Sequence, residues 1–299
     1  MGVLINILEQ GLLFSIVAIA VYITYKILDF PDMSVDGTFP MGAAISAALL
    51  VQGVNPWISI IAAAIGGAIA GAITGILHVK FKIDNLMAGI LVMIGLYSIN
   101  LRIMGKANIP LFNVPNVFKL GIPTMAIIII FLFVVKILFD LYFKTKSGFL
   151  LRAVGDNEQV VSSIGVNKDL VKILGLVISN ALVGMAGALT AQYQGFSDVG
   201  MGTGTVVMAL AAVIIGSSLF EKVSFIKATT LSILGAVIYK AAIALVLKFG
   251  LNANDLKLMT AVIVVVALCS SNGIFKFKKK KLVEGGAEDV KRKTTIQSI

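Results

Sequence analysis

Apolar runs separated by short polar segments fill nearly all of the 299-residue chain. A helix needs roughly 20 apolar residues to cross the hydrocarbon of a bilayer. Gly11–Leu28, Trp57–Val79, Leu86–Met104, Pro123–Phe143, Val171–Gln194 and Ile226–Lys248 reach or approach that length, and Leu256–Ser271 follows them. Met41–Val54 and Val206–Ile215 are shorter. They predict tilted or half-buried helices propped by neighbours. The pattern predicts an all-α, polytopic transmembrane helical bundle of about 8–10 helices, some short or broken, over residues 1–275, with a disordered basic tail over residues 276–299. One crossing per run gives nine, with the N-terminus outside and the C-terminus inside; a re-entrant Met41–Val54 or Met201–Leu219 would change the parity. The opening MGVLINILEQ lacks a basic start and a small-residue cleavage site, so the first run is expected to stay in the mature chain.

The polar segments carry more information than the spans. DFPDMSVDGTFP, residues Asp29 to Pro40, holds three acids, two prolines and a glycine, and is not expected to be helical throughout. An ordinary cytosolic turn is one reading. A helix break at membrane depth is another, because irregular backbone there must be buried in protein or face water. Residues 105–123, with Pro110, Pro115 and Asn116, read as an external loop. Residues 144–167 read KTKSGFLLRAVGDNEQVVSSIGVN. This segment predicts a short helix at the cytosolic surface, with Asp156 as N-cap, Gln159 completing a capping box and Gly165 ending it. Val160, Val161 and Ile164 are expected on one face. Without further information it is either a surface helix with a role or a connection whose charges follow topology.

Within the spans, Gly67, Gly71 and Gly75 form a small-residue stripe, and Gly184 and Gly187 lie in a second Gly/Ala-rich run, both patterns of close helix packing. Asn180 either bonds across helices or touches a solute. Lys240 is costly inside a span unless it snorkels, pairs or faces water. His78 has no second ligand nearby and reads as an interfacial residue.

Composition agrees: 58% of residues are hydrophobic and 13% charged, against roughly 25% charged in an ordinary soluble domain. Mean hydropathy is +0.99. The formal charge is +10, and half of that excess lies in residues 276–299, with eight Lys/Arg against three acids. Beyond a last span, this fits the positive-inside rule and anionic headgroups, not nucleic acid. Of 25 Lys/Arg, 19 fall on or near the proposed inner side, five outside, and Lys240 within a span. One His, one Cys (Cys269) and no carboxylate cluster predict no catalytic set, metal site or internal disulfide. No G-x-x-x-x-G-K-[ST] occurs, so any ATP-driven step needs another polypeptide.

The order Gly148-x-Leu150-Leu151-Arg152-Ala153-Val154-Gly155-Asp156-Asn157, then a short helix, Ile164-Gly165-Val166-Asn167 and a Gly/Ala-rich span, resembles the coupling loop of ABC importer permeases of the branched-chain amino-acid and ribose type. The likeness is clearest from Gly148 to Gly216 and weaker from Gly11 to Ala48. It implies a type II-like importer membrane domain whose loop docks on an ATPase subunit through Gly148, Arg152, Gly155, Asp156, Asn157, Gly165 and Asn167. Asp32-Met33-Ser34-Val35-Asp36-Gly37 is similar to that family's D-L-S-V-G-S or N-x-A-H-G segment, with Asp36 where a small residue or glycine is expected. The resemblance makes Asp32, Ser34, Asp36, Gly37 and Asn180 candidates for a substrate pathway. Gly216–Glu221 departs from the family's glycine-rich turn. The implied partners are a second permease subunit, identical or homologous, two cytosolic ATP-binding subunits, an extracellular substrate-binding lipoprotein and the lipid of a bacterial plasma membrane. This chain would bind no cofactor; ATP and Mg would sit on the ATPase subunits. The implied cargo is a small solute, an amino acid of branched-chain or aromatic type, with a sugar or nucleoside as the alternative. A transporter or channel with no ATPase would instead need ion-coupling groups, for which Asp32, Asp36 and Lys240 are the candidates.

Overall fold

A computed structural model describes residues 2–119, 121–220, 227–248 and 256–271. The tail at 276–299 and Glu221 lie outside the described residues, as does the side chain of Cys269. The elements are α1 (Gly2–Val21), running on as a π-helical turn (Tyr22–Ile27), α2 (Val35–Val51), α3 (Pro56–Val79), α4 (Asn85–Met104), β1 (Asn108–Pro110), a 3-10 turn (Val117–Lys119), α5 (Thr124–Tyr142), α6 (Lys146–Asp156), α7 (Glu158–Ser163), α8 (Lys168–Gln194), β2 (Phe196–Asp198), a 3-10 turn (Val199–Gly202), α9 (Thr205–Phe220), α10 (Ala228–Lys248) and α11 (Leu256–Ser271). Among the described residues seven helical segments are long and apolar enough to cross a membrane, and α2 is a shorter apolar helix of 17 residues.

Local chemistry sets the boundaries. The Asn55 side chain accepts from Trp57 N to start α3, with Pro56 at the first helical position where its missing N–H costs nothing. Asp84 starts α4 in the same way by accepting from Leu86 N. Gly195 ends α8 in the left-handed region at φ 77°.

As expected, residues 29–40 are not helical throughout, and the loop after α4 carries local structure of its own. Residues 29–34 are non-helical, but α2 already begins at Val35 and carries Pro40 inside it. A proline six residues into a helix loses one bond to the carbonyl four back, that of Asp36, and Gly202 packs against this carbonyl. The loop of residues 105–123 carries a short strand. β1 pairs antiparallel with β2, Asn108 opposite Asp198 and Pro110 opposite Phe196, which ties residues 105–123 to the end of α8.

The core is built around α8, which packs on α1, α2 and α3. The approach is close enough to exclude side chains. A Cβ on Gly67 would run into the Asn180 carbonyl, one on Gly71 into that of Leu176, one on Gly184 into that of Ala63 and one on Gly187 into that of Phe39. Without a water-driven hydrophobic force in lipid, such backbone-level contact is the main source of helix cohesion. Ile58, Ile61, Ile65, Ile69 and Ile73 face outward from α3. The β1–β2 pair and Glu9, which accepts from the Tyr193 hydroxyl at 2.9 Å, mark one end of the bundle, while α6 and α7 mark the other.

Candidate functional site

The segment 144–167 folds as two short helices, not one. Thr145 caps α6 by accepting from Gly148 N at 3.2 Å. The chain then extends at Asn157 (φ −160°), whose Oδ1 accepts from Gln159 N at 2.9 Å and Val160 N at 3.4 Å. Asn157, not Asp156, is therefore the N-cap of α7. The break falls one residue later than expected, which leaves Asp156 as the last residue of α6. Gly165 takes φ 77° after α7, and Asn167 caps α8 by accepting from Asp169 N at 3.0 Å and Leu170 N at 3.3 Å.

Nor do Val160, Val161 and Ile164 share a face. Val161 is fully buried, whereas Val160 and Ile164 are 55% and 65% exposed. Phe149 of α6, at 72% exposure, was not singled out in the sequence. The segment thus offers apolar side chains outward while its inner side is fixed. A Cβ on Gly155 would strike the Ile27 carbonyl, one on Gly148 the Tyr142 carbonyl, and the Leu151 side chain lies against Gly175. The exposed Arg152 guanidinium stacks over the Phe143 ring with 4.8 Å to its centroid. Glu158 pairs with Lys168 at 2.8 Å and with Lys172, and hydrogen bonds from these two ammonium groups hold its carboxyl down at about 2.

The five candidate pathway residues separate into two places. Asp32, Ser34 and Asn180 form a buried network: Asn180 Nδ2 donates to Asp32 Oδ2 at 2.7 Å, Ser34 N donates to Asp32 Oδ1 at 2.9 Å, and Ser34 Oγ donates to Asn180 Oδ1 at 3.2 Å. Asn180 therefore bonds across segments, tying the start of α2 to the middle of α8. Asp36 and Gly37 instead line a groove of about 360 Å³ between α2, α4 and the turn before α9, with Tyr97, Asn100 and Thr203. Gly204 N and Val206 N donate to the two Asp36 carboxyl oxygens, each at 2.8 Å, so Asp36 holds the first turn of α9. The acid in place of a small residue thus has a structural task. A Cβ on Gly37 would approach Met93 Cα to 2.9 Å, which lets α2 and α4 close one wall.

Sequence reasoning missed Tyr97 and Asn100, although an asparagine in the apolar interior of α4 was a usable signal. It also missed Gln192 as a buried hub, whose Nε2 donates to Ser46 Oγ and Ser59 Oγ, both at 3.1 Å. Lys240 lines a separate cavity of about 110 Å³ with Gln10, Thr190, Tyr193 and Gln194, and its ammonium lies 4.8 Å from the Phe14 centroid. Facing a cavity with several polar groups, and a π-face, relieves the cost of a charge in a span. His78 Nδ1 lies 2.9 Å from the Ile83 carbonyl oxygen, and its ring meets Phe30 edge-on. Among the described residues no group of three or more His, Cys, Asp or Glu could hold a metal ion.

Residues 3–269 match the family described as branched-chain amino acid transport system / permease component. The chain is 50% identical over 279 residues to a tyrosine transport system permease protein of Clostridioides difficile (strain R20291), covering 93% of this chain and 95% of that one. It is 33% identical to an uncharacterized protein of Rickettsia prowazekii (strain Madrid E), covering 90% and 98%. A ribose import permease protein of Escherichia coli (strain K12) is 24% identical, covering 72% and 69%. No solved structure is a significant match. With a family match over nearly the whole length and a bundle of membrane-length helices, the chain is an integral membrane transport subunit, and it belongs to the branched-chain amino-acid permease family of ABC transporters, whose members act with ATPase and substrate-binding components.

Proposed function

We propose that this permease imports an amino acid, aromatic or branched-chain, as one of two such subunits, identical or homologous, driven by two ATP-binding subunits. The observation that carries the cargo class is the 50% identity, over almost the full length, to a protein named for tyrosine transport. The groove at Asp36 and Gly37 supports it, since about 360 Å³ suffices for a single amino acid.

Phe149, Val160 and Ile164 dock in the ATPase subunit from the cytosol. Arg152, Gly155, Asp156, Asn157, Gly148, Gly165 and Asn167 shape and seat that knob. Because α6 rests without intervening side chains on the Ile27 carbonyl, a displacement of the knob reaches the end of α1, and through α7 and Asn167 it reaches α8. ATP binding can shift the permease between outward and inward access only by favouring one state, through contacts that differ between the two. In this reading α6 and α7 face the cytosol and the β1–β2 end faces outward, towards a substrate-binding lipoprotein, with the N-terminus external and the basic tail cytosolic. The excess of Lys/Arg on the α6–α7 side supports that orientation. ATP and Mg are bound by the ATPase subunits, and this chain binds no cofactor.

The test is uptake by vesicles holding this chain, its ATPase subunits and its binding protein. Tyrosine or leucine should accumulate only when ATP is supplied on the α6–α7 side. Accumulation without ATP, or of ribose and nucleosides in place of amino acids, would reject the reading.

A further inference from the structure

Among the described residues, one buried side-chain polar atom has no hydrogen-bond partner, and it is Asn100 Oδ1. Asn100 is fully buried and lies on the wall of the groove that holds Asp36 and Tyr97. Its amide cannot be turned to remove the problem. Nδ2 donates to the Gly37 carbonyl at 3.2 Å, and a flip would set two carbonyl oxygens against each other. A buried acceptor left without a donor is costly, so a position that keeps one calls for a donor supplied from elsewhere.

The rest of the lining says what kind of donor. Among the described residues no Lys, Arg or His lines this groove, whereas the Asp36 carboxylate does, and its two oxygens, with about four lone-pair sites between them, retain acceptor capacity after the backbone N–H groups of Gly204, Thr205 and Val206. Tyr97 lies three residues before Asn100, on the same side of α4, and offers a half-exposed ring. An unpaired carbonyl, a carboxylate and a π-face, without an opposing cation, suit an ammonium group. We propose that Asn100 Oδ1 accepts an N–H from the α-ammonium group of the amino acid in transit, with Asp36 supplying the countercharge and Tyr97 the apolar wall. This rests on the amino-acid reading above and adds a recognition site to it.

The experiment uses vesicles that hold the full permease–ATPase complex together with its binding protein. With Cys269→Ser removing the native thiol, Ser98→Cys puts a reporter on the groove wall, and its labelling by a small thiosulfonate reagent is timed. Millimolar L-tyrosine and tyramine should slow labelling about threefold or more. The desamino acid 3-(4-hydroxyphenyl)propanoate, which keeps the ring and carboxylate, should not. Asn100→Leu should abolish protection by tyrosine. Should that variant fail to fold, the ligand series on unaltered Asn100 still decides. Protection by the desamino acid equal to that by tyrosine, unchanged protection in Asn100→Leu, or protection by no ligand would each overturn the subsite. ATP-driven uptake by the same vesicles separates the two claims: uptake of tyrosine or leucine without this protection pattern removes the subsite and leaves the transport reading, whereas absence of ATP-driven uptake removes the transport reading itself.

Discussion

Glycine does different work in the helix bundle and in the 144–167 loop. Between α2, α3 and α8 it brings backbones together, at one place from both sides: Gly42 and Gly67 on two helices and Gly184 on the third. In the 144–167 loop only the inner side is packed in this way, at Gly148 and Gly155, while the outer side presents Phe149, Val160 and Ile164 to whatever lies beyond. The first region can move only as a block, since backbone-to-backbone packing leaves no side chain to adjust. In the proposed function the second is a handle on that block. A machine that turns docking into motion needs both, and variants that fill one interface or strip the other should fail in different ways.

The largest expected effect is on the block. A Cβ at Gly42 would penetrate the Gly184 carbonyl, and neither atom is the end of a flexible chain. Gly42→Leu should cost about 3 kcal/mol or more, the upper range for overpacking, and yield little folded protein by size-exclusion chromatography in detergent. Normal recovery and uptake would show that α2 and α8 are not locked together.

The handle should fail without unfolding. Phe149→Asp together with Ile164→Asp alters two side chains that are 72% and 65% exposed, so the thermal midpoint of the isolated permease should stay within about 1 °C, as for surface changes. Losing apolar anchors worth about 2 kcal/mol each should cut recovery of the ATPase subunits at least tenfold on affinity co-purification. Co-purification at the wild-type level would place the docking surface elsewhere.

Much of the block was legible in the sequence and much of the handle was not. The spacing of Gly67, Gly71 and Gly75 implies one face of a helix, and a span's length follows from the bilayer's thickness, so both can be read locally. The break between Asp156 and Glu158 turns on which of two adjacent capping residues wins, and both Asp and Asn can cap. Val161 turned inward because α7 is anchored on α8 by the Glu158 pairs, a long-range fact that helical spacing cannot supply. The split of Asp32 from Asp36 was likewise hidden: four residues apart in sequence, one bonds to α8 and the other to the turn before α9. That residues 29–40 are not helical throughout was legible, but that the helix starts at Val35, before Pro40, was not: Gly202 packs against the Asp36 carbonyl that the proline leaves without its helical partner.

The smallest effect sharpens how the handle is joined to the block. Glu158 holds α7 to the first turns of α8 through Lys168 and Lys172, but its side chain is 40% exposed, so solvent screens the pairs and Glu158→Gln should loosen α7 by less than about 1 kcal/mol. Its carboxyl is held at about 2 from an ordinary 4.5, so the folded loop favours the charged form. The contribution is therefore fully present above about pH 4.5 and is lost as the pH falls towards 2. Hydrogen exchange of the α7 amides, corrected for intrinsic rates, should be a few-fold faster in Glu158→Gln than in the wild type at pH 6–7, and the gap should close on acidification through that window. Equal exchange at neutral pH would mean that α7 is held by Val161 alone, and that the ion pairs do not join the handle to α8.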